Sequence, residues 1–410
     1  MKGKFEKVAT TPENFNWGKL ISREGDLYDR KNDIRSPFAR DYTRILHSLS
    51  YRRLKHKTQV FFNIDNDHIC TRMEHVSHVE SVSTTIAREL GLNTELTRAI
   101  AMGHDLGHAP FGHQGEKVLK ALCEKYLGSA FWHEANGLHF VDNIDLLEDP
   151  QTISHNLMLT YAVRDGILSH CGEVDENGLF PRDIGIDISR FTEPGKYQSV
   201  TWEGCLVKLA DKIAYVGRDI EDANNLGFLD QTALSELHKM SMKSVNGALN
   251  TTAIMHNLIV DICENSSPDK GICLSDEKNR QLSEIKAFNY DKIYNHHRLE
   301  PFKNYAKLVL TQIFDELNGF YDGQHTWEKL RANWRYLPLL VDSFESWLCR
   351  YCDISIVPDG ELKEKALACE NKKIYGKLED QRIYAKAIID FLSGMTDRFA
   401  ITVYNELLEY

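Results

Sequence analysis

The chain has 410 residues, 42% hydrophobic and 27% charged, with a formal net charge of −11. Those values fit a globular protein of one large domain or two to three smaller ones, and they exclude disordered, collagen-like and membrane-spanning classes. The acidic balance argues against a general nucleic-acid coat, so an anionic substrate has to be met by cations or a metal gathered at one point.

The opening "MKGKFEKVATTPENFNW" lacks the apolar centre of a signal peptide, and no later window approaches a membrane span, so a cytoplasmic location without a membrane partner is expected. The nine cysteines are odd in number and scattered, which suits a reducing compartment. Cys349 and Cys352 form a lone CxxC with no second pair, read as helical spacing and not as a zinc site.

After an N-terminal arm, residues 1–34, "SPFARDYTRILHSLSYRRLKHK" reads as a helix with Ser36 as N-cap and Pro37 at the first position. "EHVSHVESVSTTIAREL" reads as a second helix ending at Gly91, and Asn93 caps a third, "TELTRAIAMGHD". Further helices are expected near 115–127, 136–148, 154–169, 202–226, 232–265, 279–320 and 326–350, with two more toward the C-terminus. Gly, Pro, Asp and Asn break the period over about 171–204, an irregular excursion, and "ENSSPDKGICLSDEKN" is a second break. No alternating β-branched run competes. The expected fold is all-α, with a helical core over 35–230 and an additional C-terminal helical region over 231–410.

Within "AIAMGHDLGHAPFGHQGE", His104, Asp105, His108 and His113 fall inside ten residues of a chain with 17 histidines. A His-rich surface turn is the plain alternative, but glycines at 103, 107, 112 and 115 permit tight backbone paths between these groups. Upstream, His75 lies on a helix with Arg72 one turn before it on the same face. Downstream, "LVKLADKIAYVGRDIED" lines Asp211, Tyr215 and Asp219 along one helical stripe, and an aspartate among apolar neighbours needs a partner. His75, His104, Asp105 and Asp211 together make a mixed imidazole and carboxylate ligand set for one divalent ion: Mg, Mn, Fe, Co, Ni or Zn. Such a set leaves positions open for water or a phosphate oxygen.

These motifs, with "YRRLKHKTQVF" ahead of them, resemble the HD-domain metal-dependent phosphohydrolases, and among them the deoxyguanosine triphosphate triphosphohydrolase (dGTPase-like) branch. The likeness runs over residues 35–225, so the helical core is expected to be an HD domain. It implies hydrolysis of a deoxynucleoside triphosphate (dNTP) to deoxynucleoside and inorganic triphosphate, with His75, His104, Asp105 and Asp211 as metal ligands. It also implies catalytic roles for His108, His113 and, in "FWHEANG", His133; imidazoles suit them because they titrate near neutrality. His108 is expected nearest the scissile bond, oriented by Glu134 or another carboxylate, with His113 holding phosphates. Arg72 and Lys212 match phosphate-binding positions, where a helix-face salt bridge and a snorkelling lysine are the ordinary alternatives. Gln59, Tyr215 and Asp219 match residues against the deoxyribose, where a tight pocket rejects a 2′-hydroxyl; for Tyr215 the ordinary alternative is core packing.

The resemblance further implies that the C-terminal region completes the pocket and builds a homo-oligomer, hexamer or tetramer, with an allosteric nucleotide or single-stranded DNA as regulators in some members. This chain departs from the pattern at Val76, where Ser is usual, and at "HEANGLHF" in place of "HNEQSLR", which bears on His133 and the base contacts. Two other functions share the ligand set: a different HD phosphohydrolase acting on monophosphates or second messengers, and a non-catalytic sensor of dNTPs or single-stranded DNA.

Overall fold

Ser36 accepts a hydrogen bond from the Ala39 amide at 3.1 Å and Pro37 takes the first helical position, so α1 (Pro37–His47) begins where the sequence signals it. The computed structural model describes residues 3–25, 27–28, 32–62, 68–171, 177–241, 251–369 and 372–409. Thr71 and Glu74 form a capping box at the head of α2 (Arg72–Leu90), which ends on Gly91 at φ 79°. The Asn93 side chain caps α3 (Thr94–Gly103) by accepting from the amides of Glu95 and Leu96. Phe111 and Gly112, both left-handed, turn the chain into α4 (Gly112–Leu122).

The further helices that matter below are α5 (His133–His139), α6 (Tyr161–Ser169), α7 (Trp202–Asn225), α8 (Gln231–Ser241), α9 (Thr251–Asn265), α10 (Asp276–Asn289), α11 (Glu300–Gly319), α12 (Thr326–Asn333), α13 (Pro338–Tyr351), α14 (Gln381–Ser393) and α15 (Asp397–Glu406), with short helical segments at Trp17–Leu20, Leu49–Arg53 and Glu361–Leu367 and several π and 3₁₀ turns. The fold is all-α. Among the described residues the one named sheet is a two-residue antiparallel pair, β1 (Leu147–Glu148) with β2 (Ser154–His155).

Five expected helices differ. The one read through "SPFARDYTRILHSLSYRRLKHK" stops at His47, because Ser48 leaves the helical conformation and its side chain accepts from the Tyr51 amide to cap a new short helix, Leu49–Arg53, followed by a 3₁₀ turn, Leu54–His56. The one expected over 154–169 starts only at Tyr161: the buried Arg44 guanidinium of α1 takes the carbonyls of Asn156 and Leu157, and Met158 is left-handed at φ 48°, so the chain before Tyr161 is not helical. The one expected over 136–148 starts earlier, at His133, and ends in a wide π turn, Phe140–Ile144. The expected 279–320 helix breaks after a π turn, Tyr290–Tyr294, and restarts as α11 with Pro301 in its first turn. Pro338 likewise divides α12 from α13. Of the helix expected over 232–265, residues 242–250 lie outside the described residues. Between 177 and 201 the chain forms only one short 3₁₀ turn, Ile188–Arg190, as its composition suggests.

Three apolar clusters hold these helices. The first joins α1, α2, α3, α6 and α7 through residues such as Phe38, Val79, Ile100, Ile167 and Ala214. The second packs the other faces of α2 and α7 against α8, α9 and α10 through Ile86, Ile213, Ile262 and Ile285. The third places Ala109, Phe111 and Leu119 in one cluster with Ile313, Phe344 and Ile388 of the C-terminal helices. The packing therefore crosses residue 230 twice, and the His-rich turn sits where the first and third clusters meet.

Candidate active site

The capping box fixes the first turn of α2, which sends Arg72 and His75 inward, 2% and 5% exposed. His104 follows the last turn of α3, and its Nδ1 lies 2.7 Å from the Ala101 carbonyl. That contact makes Nδ1 the protonated nitrogen and turns the Nε2 lone pair toward His75 and Asp211. His75 Nε2 lies 3.0 Å from Asp211 Oδ1 and 3.4 Å from His104 Nε2, and His104 Nε2 lies 3.7 Å from Asp211 Oδ1. Asp105 brings its two oxygens to 3.6 Å from His104 Nε2 and 3.9 Å from His75 Nε2.

Donors about 2.1 Å from a cation and at right angles to one another are roughly 3 Å apart. Two imidazole nitrogens facing each other across 3.4 Å beside a carboxylate, with the His104 tautomer fixed, are a donor set that fits a divalent cation. Elsewhere among the described residues, His133 recurs in three further groups of donor side chains; Cys349 and Cys352 are in none and are buried among C-terminal helices.

A second row of histidines runs away from this cluster. His108 Nε2 is 3.0 Å from Asp105 Oδ1, so Asp105 orients the ring, not Glu134. The His108 ring stacks on His133, centroids 3.9 Å apart and 20° from parallel. Glu116 reaches His133 Nδ1 at 3.3 Å and His113 Nδ1 at 3.8 Å, while Glu134 stands 3.5 Å from His133. The stacked rings titrate in opposite directions. Burial and the Arg72 guanidinium hold His108 well below the ordinary imidazole range. Burial also works against a charge on His133, but the Glu134 and Glu116 carboxylates overcome it and raise that ring to about 9. Glu116 falls far below the carboxylate range, burial being outweighed by His133 and His113.

Both rows open into one cavity of about 570 Å³, a size usual for small-molecule sites. Apart from His104, which is fully buried beneath it, the cavity is lined by every metal-ligand, catalytic and substrate-binding candidate from the sequence: Gln59, Arg72, His75, Asp105, His108, His113, His133, Asp211, Lys212, Tyr215 and Asp219; Glu134 is buried behind His133 and does not line it. Lys117, Lys120, Lys208, Lys286 and Lys303 add positive charge from α4, α7, α10 and α11. Arg72 donates to Asp105 at 2.7 Å and to the Thr58 carbonyl at 3.1 Å; its Nη2 is buried with no hydrogen-bond partner. Gln59 Oε1 and His108 Nδ1 are likewise buried and unbonded. His113, by contrast, is 69% exposed at the rim. Asp219 accepts from the Tyr294 hydroxyl at 2.5 Å, and burial pushes its carboxyl up to about 7.

Sequence reading passed over several of these groups. Glu116 carried a signal, three residues after His113 in the same motif. His170, whose Nδ1 meets the Ile167 carbonyl at 2.7 Å and whose ring packs 5.0 Å from that of His104, carried none, standing where the irregular segment begins. Tyr294 and Phe302 carried none either, since only the fold brings the C-terminal half to the cavity.

A model of the HD domain matches residues 72–216, the span from Arg72 through Asp211 to Tyr215. Histidines and aspartates from three helices, converging as described, thus define an HD-domain phosphohydrolase. A deoxyguanosinetriphosphate triphosphohydrolase-like protein of Rickettsia canadensis (strain McKiel) is 30% identical over 94% of this chain and 97% of its own length. Relatives of the same description from Caldanaerobacter subterraneus subsp. tengcongensis and Desulfatibacillum aliphaticivorans are each 31% identical, covering 92% and 91% of this chain and 87% and 88% of their own. The chain belongs to the deoxyguanosinetriphosphate triphosphohydrolase-like family. No helix among the described residues is long and apolar enough to cross a membrane.

Proposed function

We propose that the protein is a metal-dependent dNTP triphosphohydrolase, with dGTP among its substrates, that releases deoxynucleoside and intact inorganic triphosphate. One observation carries the reading: a single cavity holds the His/Asp cluster, a stacked pair of histidines whose surroundings push their titration in opposite directions, and lysines from four helices in a chain of net charge −11. His75, His104, Asp105 and Asp211 would hold a divalent cation, which when bound supplies Lewis-acid polarisation of a phosphoryl oxygen.

His108 donates through Nε2 to Asp105, which leaves the Nδ1 lone pair of a neutral imidazole to take the proton of the attacking water. Water adds to the α-phosphorus, the bond from phosphorus to O5′ breaks, and O5′ needs a proton to leave. His133 keeps one at neutral pH, and Glu116 joins it to His113, so these three form the acid side. Arg72, His113 and Lys212 serve the phosphates, Arg72 through its unbonded Nη2. Gln59, Tyr215 and Asp219 serve the deoxyribose: Asp219, raised to about 7, can accept from a sugar hydroxyl and in its protonated form also donate to one, and a crowded wall disfavours an added 2′-hydroxyl.

The test is a substrate panel with Mn²⁺ or Mg²⁺: each dNTP alone, mixed dNTPs, and dNTPs with GTP, products separated by anion exchange, with and without a chelator. Triphosphate and deoxynucleoside in equal amounts, abolished by chelation, are expected, and turnover confined to mixtures would add an allosteric nucleotide. Release of orthophosphate or pyrophosphate would assign the chain to another phosphohydrolase reaction. Tight dNTP binding without turnover would make it a sensor.

A further inference from the structure

The catalytic turn does not hold itself in place. Phe111 is left-handed at φ 63°, the helix it opens has no side-chain cap, and the residues before it cross the boundary between two apolar clusters. Its amide donates to Asp397 Oδ1 at 2.8 Å, across 286 residues of chain. The other oxygen of Asp397 accepts the Thr58 amide at 2.9 Å and the Thr58 hydroxyl at 2.5 Å. Lys57, 3% exposed, donates from Nζ to the His108 carbonyl and, at 3.0 Å, to the Ser393 carbonyl at the end of α14. Thr58 then passes the constraint on, since its carbonyl accepts Arg72 Nε at 3.1 Å and Arg72 grips Asp105.

We propose that Asp397, assisted by Lys57, is a positioning residue of the catalytic centre. Through it, the C-terminal pair α14–α15 sets the places of His108, Gln59 and Arg72 without touching substrate. Three donors converge on one carboxylate, two on Oδ2 and one on Oδ1, so an amide of the same shape cannot replace it: its NH₂ would face an N–H or O–H donor head on. A displacement of the order of 1 Å in the groups it holds costs roughly 10²-fold in rate. Asp390 is the matched comparison. It is also buried at the C-terminal pair and accepts from Tyr375 at 2.9 Å and Lys386 at 2.9 Å, with His139 3.0 Å away, but none of these partners lines the cavity.

The proposal rests on the reading of the centre given above, so its test has one readout that needs no activity. Hydrogen exchange is measured on the metal-free full-length protein, wild type, Asp397→Asn and Asp390→Asn, followed by steady-state kinetics with Mn²⁺ and dGTP. Asp397→Asn is expected to speed exchange at the Thr58 and Phe111 amides. It should lower kcat by roughly 10²-fold through His108, with KM rising as well through Gln59 and Arg72, below its unfolding temperature. Asp390→Asn should lower the unfolding temperature comparably and leave both readouts near wild type. Unchanged exchange at those two amides, a kcat for Asp397→Asn within about threefold of wild type, or an equal kcat loss in Asp390→Asn would each overturn the proposal. Should Asp397→Asn fail to fold, Thr58→Val, which removes one donor, is compared with Thr58→Ser, which keeps it; equal exchange and kcat in that pair overturn the proposal. A wild type inert toward dNTPs refutes the assigned reaction, and the exchange comparison still decides the clamp.

Discussion

His108 and His133 are the same residue type, stacked 3.9 Å apart, yet one is held neutral and the other charged. The difference lies in what surrounds each ring: Arg72 opposes a charge on His108, whereas His133 has two carboxylates beside it. Because the folded value of His133 lies above the ordinary value of about 6.5, the stability it contributes is complete below that pH and is lost as pH rises through about 9. The acid role proposed for it would have the same upper limit. The expected pH profile of kcat therefore falls above about 9. His133→Gln should lower neutral-pH kcat by about 10²–10⁴-fold and remove both that limb and the matching slope in unfolding stability. A wild-type profile flat to pH 10 would refute a proton held at His133. Residue types and spacing made most of these groups legible in advance, because a motif carries its chemistry on adjacent positions. Spacing left open which carboxylate orients His108, although Asp105 stands only three residues away, because a loop does not fix side-chain direction. It did not reveal that Asp397 and Tyr294 reach the same region, since those contacts join positions tens to hundreds of residues apart.

The loop between α3 and α4 works only because α5 lies against it at backbone distance. A Cβ at Gly107 would fall 2.0 Å from the His133 carbonyl oxygen and 2.1 Å from the Gly137 amide, and the Asn136 side chain already donates to the Gly107 carbonyl at 2.7 Å. Gly107 is thus required for space and not for its dihedral angles, a reason its sequence context does not show. Gly107→Ala must push α5, and with it His133, off His108. The expected result is a loss of about 1–3 kcal/mol or more in chemical denaturation, with a drop in kcat out of proportion to it. Gly319→Ala on α11, where nothing lies within 4 Å, should match or exceed wild-type stability. Retained kcat in Gly107→Ala would show that the stack is dispensable. Ser36, Pro37 and Asn93 made two helix starts legible and Gly91 one helix end, whereas Ser48, Pro301 and Pro338 mark starts that periodicity alone ran together. The start at Tyr161 was not legible, because Arg44 of another helix takes the carbonyls of Asn156 and Leu157 and keeps them out of a helical ladder.

At the scale of the whole molecule, the HD segment does not own its core. Phe111, Leu119, Leu122, Phe140 and Ile144 are at most 7% exposed, and they pack in the cluster that α11, α13, α14 and α15 build. Fully burying a side chain of this kind contributes about 1.5–3 kcal/mol, so exposing five would forfeit roughly 8–15 kcal/mol. That equals the entire stability of an ordinary domain, about 5–15 kcal/mol. The outer faces of α2 and α7 would also lose Ile262, Leu282, Ile285 and Phe288. A fragment of residues 1–230 is therefore expected to lack a cooperative thermal transition by circular dichroism and to bind hydrophobic dye, while the full chain unfolds cooperatively. A soluble fragment that melted sharply would mean that the C-terminal helices merely cover a self-sufficient domain. The clamp at Asp397 would then be a late addition to a centre already formed. Failure to fold would instead make the same helices that close the core responsible for aligning the catalytic turn, and stability and activity would respond together to changes far from the cavity.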